Sequence, residues 1–186
     1  MLLTFDGDVC GSDANGGGSA TSCVPGSAIH QSYGDQANVN VSWSHTGGAE
    51  SMQWWDSGWL GTPNQAWGSD FVITIIPTAG YKIQLNSFDL SPFTDTRSYT
   101  SLSVLGHGTG TPGFNDGGDT ISILTPSPGL PLTSSAGFDI SVVGTFGNIG
   151  IDNIDFDVVL DDAVPEPATF GIATLALGAL VLKKRS

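Results

Sequence analysis

Five tryptophans, Trp43, Trp54, Trp55, Trp59 and Trp67, fall within 25 residues, next to Gln53, Asp56 and Asn64. An exposed indole lies against the apolar C–H face of a pyranose while neighbouring amides and carboxylates take its hydroxyls. Trp54, Trp55, Trp59 and Trp67 are therefore candidate sugar-binding residues. The alternative is that they are core and loop-plugging side chains of a small β-domain. Adjacent residues of a strand face opposite ways, so at most one of Trp54 and Trp55 is core there. A second group is made of carboxylates. Asp6 and Asp8 sit near the first predicted strand, and Asp152, Asn153, Asp155 and Asp157 sit in the last. If first and last strands lie together, Asp6, Asp8, Asp152 and Asp155 form a candidate oxygen-ligand set for a structural Ca²⁺, a hard ion that takes six to eight oxygens. The loop 114–119 (FNDGGD) is another candidate, without a full EF-hand pattern. The run I-D-N-I-D-F at 151–156 also fits an ordinary strand with its polar residues outward.

Cys10 and Cys23 are the only cysteines, and the stretch between them (GSDANGGGSATS) is rich in Gly and Ser. Two cysteines without a nearby histidine do not make a zinc set. A disulfide is expected, and with it an oxidising compartment. Catalysis is not expected. His30, His45 and His107 are scattered over loop-like sequence, with no H-E-x-x-H spacing and no G-x-S-x-G elbow. A glycosidase pair of carboxylates depends on spatial rather than sequence separation, so a secreted hydrolase is kept as a remote alternative.

The charge balance narrows the partners. Of five basic residues, three are Lys183, Lys184 and Arg185, which leaves Lys82 and Arg97 against all 18 acids. Such a body does not neutralise phosphates, so no nucleic-acid partner is expected. Charged residues are only 12% of the chain, and 26 glycines accompany frequent Ser, Thr, Asn and Asp. The surface is polar through hydroxyls and amides rather than ion pairs.

These residues have to be positioned by strands. Short alternating or β-rich runs occur at 2–6, 39–43, 71–76, 81–85, 88–90, 101–105, 120–124, 138–143 and 149–159. Residues 7–27, 44–69, 107–119 and 126–131 read as loops or irregular segments. No helical period appears before residue 162, so no crossover exists to build a parallel sheet. The expected fold is all-β: a single antiparallel β-sandwich or jelly roll over 1–160, a linker over 161–167 and one short hydrophobic helix over 168–186.

That last segment is the most specific feature. Val164-Pro165-Glu166-Pro167 precedes fifteen uncharged residues, Ala168 to Leu182, and the cluster Lys183-Lys184-Arg185-Ser186. As a helix the apolar run spans roughly 22 Å, short for a bilayer core of roughly 30 Å but workable in a thinned membrane with snorkelling lysines. The terminal positive charges stay cytoplasmic, which puts the body outside. The prolines hold 164–167 extended, and Glu166 is the one charge between Asp162 and Lys183.

The tail resembles the PEP-CTERM sorting signal of Gram-negative bacteria, in which a V-P-E-P motif, a short hydrophobic segment and a basic end follow in this order. The resemblance covers about 23 residues and implies an exosortase, a membrane cysteine transpeptidase-like enzyme, as partner. It also implies processing near the motif and a setting of exopolysaccharide and biofilm. The body, from Leu3-Thr4-Phe5-Asp6 to 151–156, looks like the jelly-roll modules common among such proteins and carbohydrate-binding domains. An export signal is expected ahead of it, although Met1-Leu2-Leu3-Thr4 runs directly into Phe5-Asp6-Gly7-Asp8. The expectation is thus an exported, non-enzymatic surface or matrix protein, with an exopolysaccharide-binding module as the alternative.

Overall fold

The computed structural model describes residues 1–45, 51–56, 65–68, 70–93, 97–98, 101–107, 114–116, 120–121, 125–126, 129–143 and 149–161. For 65–68, 97–98, 114–116, 120–121 and 125–126 the backbone alone is described. The segment from 162 onward, with the expected linker and hydrophobic helix, and Trp59 lie outside these residues. Among the described residues there is no helix. The strands are β1 (Leu2–Leu3), β2 (Cys10–Gly11), β3 (Ala20–Thr21), β4 (Val39–His45), β5 (Gln53–Trp55), β6 (Gln65–Gly68), β7 (Phe71–Pro77) and β8 (Tyr81–Pro92). They continue with β9 (Arg97–Ser98), β10 (Ser101–Gly106), β11 (Phe114–Asp116), β12 (Thr120–Ile121), β13 (Thr125–Pro126), β14 (Leu132–Ser134), β15 (Phe138–Val143) and β16 (Ile149–Leu160).

Every described pairing is antiparallel, as expected for a chain without helical crossovers. A five-stranded sheet runs β11-β10-β15-β7-β4. A seven-stranded sheet runs β13-β8-β16-β6-β5, with β1 on β16 and β14 on β8. First and last strands do meet: Leu2 pairs with Asp155 and Leu3 with Ile154. Alternation decides which side chains go inward. In β7, Phe71, Ile73 and Ile75 are fully buried while Val72, Thr74 and Ile76 between them are half-buried. Buried residues of both sheets, Val41, Ile73, Val104 and Ile140 from one and Ile83, Leu85, Ile151 and Phe156 from the other, belong to a single hydrophobic cluster. Each such side chain contributes roughly 1.5–3 kcal/mol on leaving water.

Several expectations need correction. The runs 81–85 and 88–90 form one strand. The inward set is Ile83 and Leu85, then Phe88 and Leu90, so the alternation slips by one position at Asn86-Ser87. Its partner β16 slips to match, with Ile149 and Ile151 inward, then Ile154 and Phe156. The register shifts between Asp152 and Phe156, and Asn153 adopts φ 50°. This β-bulge absorbs the phase break that reads as a strand boundary. The strand expected over 2–6 ends at Leu3, because Phe5 takes a left-handed φ of 52° and turns the chain out of the ladder. Segment 44–69, read as irregular, contains β5 and β6, and the loop 107–119 contains β11.

Beyond β5 the larger sheet continues through backbone pairing too short to be named as strands. Trp54 N–H donates to Ser27 O (2.8 Å), Gly26 N–H to Trp54 O (2.9 Å) and Ile29 N–H to Met52 O (2.8 Å). In turn Gly11 N–H donates to Ala28 O (2.9 Å) and His30 N–H to Val9 O (2.8 Å). The segment bearing Cys10 is thereby laid against residues 28–30, and these against β5.

Candidate functional site

Asp152 is a buried carboxylate, only 4% exposed. Its burial follows from strand lengths. On the side of β16 away from β8, β6 covers Ile149–Ile151 and β1 covers Ile154 and Asp155. Asp152 and Asn153 fall where one partner ends and the other begins. The chain leaving β1 turns at Phe5, and this brings Asp6 toward the same junction. Asp89 is the direct cross-strand partner of Asp152. Asp152 Oδ1 accepts the Asn153 N–H (2.7 Å), and Asn153 Nδ2 donates to Asp89 Oδ2 (2.8 Å). Loss of water pushes the Asp152 carboxyl up to about 7, a rise opposed by the Asn153 N–H and added to by the negative charges of Asp6 and Asp89. Tyr33 packs nearby, its hydroxyl accepting the Phe5 N–H (3.2 Å), and burial likewise raises its phenol.

The four carboxylates singled out as a calcium set are placed differently from one another. Asp8 is exposed and accepts the Ser22 hydroxyl (2.6 Å). Asp155 faces the outer surface, where its Oδ2 accepts from Asn86 Nδ2 (3.3 Å) and its Oδ1 lies 3.7 Å from the Met1 amine. Asp152 is brought near Asp6 and Asp89 instead. Among the described residues, no three carboxylate, imidazole or thiolate groups converge as a metal ion requires. Asp89 was missed in the sequence because it lies 63 residues from Asp152 and only register joins them. The 114–119 loop falls partly outside the described residues, and the side chains of its described part are not described.

The tryptophans divide as adjacent strand residues must. Trp54 is buried, and its Nε1–H donates to Phe5 O (2.8 Å). It is a core residue, so it is lost to the sugar platform; a ring without an open face has nothing to offer a pyranose. Trp55, on the other face of β5, is half-buried. Trp67 lies on β6 opposite Gln53, and its side chain, like all of Trp59, is outside the described set. Trp43 is also core: Nε1–H donates to Tyr33 O (2.9 Å), and its ring stacks on Tyr33 at 5.8 Å and meets Phe5 edge-on at 5.3 Å.

Cys10 and Cys23 form the expected disulfide, with Cα atoms 5.3 Å apart. The loop they close packs backbone against backbone. Gly16 sits at φ 75°, and a Cβ there would overlap the Ile29 carbonyl. Asp13 Oδ1 accepts the N–H groups of Asn15 (2.9 Å) and Gly17 (2.8 Å) and fixes the turn. Between this loop, residues 26–28 and Gln53 lies a polar groove of about 360 Å³, lined by small side chains and backbone. It lacks the apolar wall typical of small-molecule sites. Replacing both cysteines with alanine is expected to cost about 3 kcal/mol, because the unfolded chain regains the entropy of an open loop. Urea unfolding of the variant against the oxidised protein measures this, and an unchanged midpoint would remove the disulfide from the stability of the body.

The histidines do not assemble. His30 Nε2 lies 3.1 Å from Gly18 O and its Nδ1 3.0 Å from Ser32 Oγ, a structural role in the loop. His107 Nδ1 lies 3.1 Å from Asp139 Oδ2, and Thr74 Oγ1 donates to Asp139 Oδ1 (2.7 Å). The hydroxyl is thus committed to the carboxylate rather than to the imidazole, unlike a nucleophile and its base. Comparison of the chain with protein-family models, with curated proteins and with solved structures found no match.

Proposed function

We propose that the chain is an exported, non-enzymatic protein of the cell surface or extracellular matrix, sorted through its C-terminal tail and processed by an exosortase. The observation that carries this reading is the three-part tail: Val164-Pro165-Glu166-Pro167, the apolar run 168–182 and Lys183-Lys184-Arg185. The Cys10–Cys23 disulfide supports an oxidising compartment, outside the reducing cytoplasm. The acidic body, with two basic residues ahead of the tail, supports a destination in water rather than on anionic lipid or nucleic acid. In this reading the two larger sheets stack as one antiparallel sandwich of the jelly-roll kind, a rigid module held at the membrane until the linker is cut.

The test is intact mass and cell fractionation of the native protein in strains with and without an active exosortase. The expected result is a body ending near residues 164–167, found outside the cell only where the enzyme is active. A full-length chain retained in the membrane of both strains would make the tail a plain anchor and end the reading. Glu166→Ala is expected to leave the chain unprocessed, since it removes the single charge of the extended motif.

A further inference from the structure

Among the described residues β4 is the edge strand of the five-stranded sheet, paired with β7 on one side. Its sequence from Val39 to Ser44 (VNVSWS) contains no charge and no proline, and Phe71–Ile76 of β7 contains none either. A long, uncharged edge is a template for pairing with another chain, and proteins usually blunt such edges with Lys, Pro or a bulge inside the strand. Here the preceding segment takes four of the outer hydrogen-bonding groups, the N–H and carbonyl of Val39, the N–H of Val41 and the carbonyl of Trp43. Gln36 N–H donates to Val39 O (2.9 Å) and Val39 N–H to Gln36 O (3.2 Å). Val41 N–H donates to Asp35 Oδ1 (2.6 Å), and Gln31 Nε2 donates to Trp43 O (2.9 Å). Two side chains therefore stand where the backbone of a neighbouring strand would stand. The segment is fastened at its start, where Gln31 N–H donates to Gly16 O (2.8 Å) within the disulfide loop, and in its middle, where Tyr33 stacks on Trp43.

We propose that β4 is a latent pairing edge for a second copy of this chain, and that residues 31–36 are the plug that holds it shut. The charge distribution selects the occupant. Two such acidic bodies repel each other over most of their surface, whereas an antiparallel β4–β4 pair centred on Val41 sets Val39 against Trp43 and Asn40 against Ser42, with no like charges facing. The Asp35 carboxylate both takes the Val41 N–H and places a negative charge on the edge. Release of the plug would let two five-stranded sheets run on as one. The proposal does not depend on the sorting reading, since it concerns the purified protein.

The test is sedimentation velocity of the full chain in a polyoxyethylene detergent, for the wild type, Gln31→Ala/Asp35→Ala, and the same pair with Ser42→Lys. Association through the apolar tail is common to all three and cancels in the comparison. The double variant is expected to show a concentration-dependent rise of about twofold in mass over the wild type. Ser42→Lys, a charge on the outward face of the edge, is expected to reverse it. A double variant that keeps its near-UV spectrum and sediments as the wild type does would overturn the proposal. So would association that Ser42→Lys leaves untouched, which would place the contact elsewhere. If the double variant is unfolded, Gln31→Ala alone, which keeps the Asp35 bond, carries the same comparison with a smaller expected rise, and a mass equal to the wild type's overturns the proposal.

Discussion

Asp152→Asn stabilises the body by about 2–4 kcal/mol at pH 8 and changes it little at pH 4. The sign follows from the direction of the shift. Asp152 titrates at about 7 in the folded protein against 3.8 in an unconstrained chain. The folded state therefore binds this proton more tightly, and unfolding between these values releases it. Stability from this group is fully present below about pH 4, is lost as pH rises toward 7, and stays lost above. Asparagine never ionises, so it removes the cost of holding a charge at a site that β6, β1 and the Phe5 turn close to water. Its carbonyl keeps an acceptor for the Asn153 N–H. Urea unfolding of both proteins from pH 4 to pH 8 in chelator tests this, because every other carboxylate cancels in the difference. Parallel pH profiles, or a variant weaker at pH 8, would refute it. Calcium adds a second arm. Millimolar Ca²⁺ that stabilises the wild type alone and inverts the order of the two proteins would restore the calcium set of Asp6, Asp8, Asp152 and Asp155 against the separation seen here.

Trp54→Ala is expected to cost about 3–5 kcal/mol without altering what the folded protein binds. Two losses add. The indole leaves a cavity in the hydrophobic cluster, and the Phe5 carbonyl loses the Nε1–H donor that satisfies it in a buried place. Trp54→Phe fills most of the space but not the hydrogen bond, so it should fall between the two. The unfolding midpoint checks both. A sugar platform predicts the reverse pattern: stability nearly unchanged and retention on polysaccharide lost. That pattern for Trp54 would contradict its burial, and the exopolysaccharide reading would then be tested further at Trp55, Trp59 and Trp67.

The long strands were legible because a half-buried strand must alternate. VNVSW at 39–43, FVITII at 71–76, SLSVL at 101–105 and FDISVV at 138–143 all appear as strands where the pattern places them. The two-residue strands β2 and β3 carry too few residues for any period, and they exist because a neighbour offers backbone groups to pair with; of the run read at 2–6, only Leu2 and Leu3 find such a partner, on β16. The Trp-rich segment hid β5 and β6 for a related reason: Gln53-Trp54-Trp55 has no polar-apolar contrast, and only burial tells its two faces apart.

By itself the sequence determined that the body is β, that its sheets are antiparallel and that its only two cysteines would pair. These depend on local period, on the lack of any helical crossover and on composition, which need no knowledge of distant contacts. Tertiary structure alone decided which aspartate is buried. Asp152 and Asp155 read alike in I-D-N-I-D-F, yet one lies in the seam between β6 and β1 while the other faces outward beside Asn86. It also decided that Asp35 and Gln31, unremarkable polar residues of a turn, close the edge of β4. Both outcomes rest on where unrelated segments end in space. A bulge at Asn153 and a left-handed turn at Phe5 set those ends; the bulge shows in the chain only as a break of phase and the turn not at all, and neither says which segments will meet.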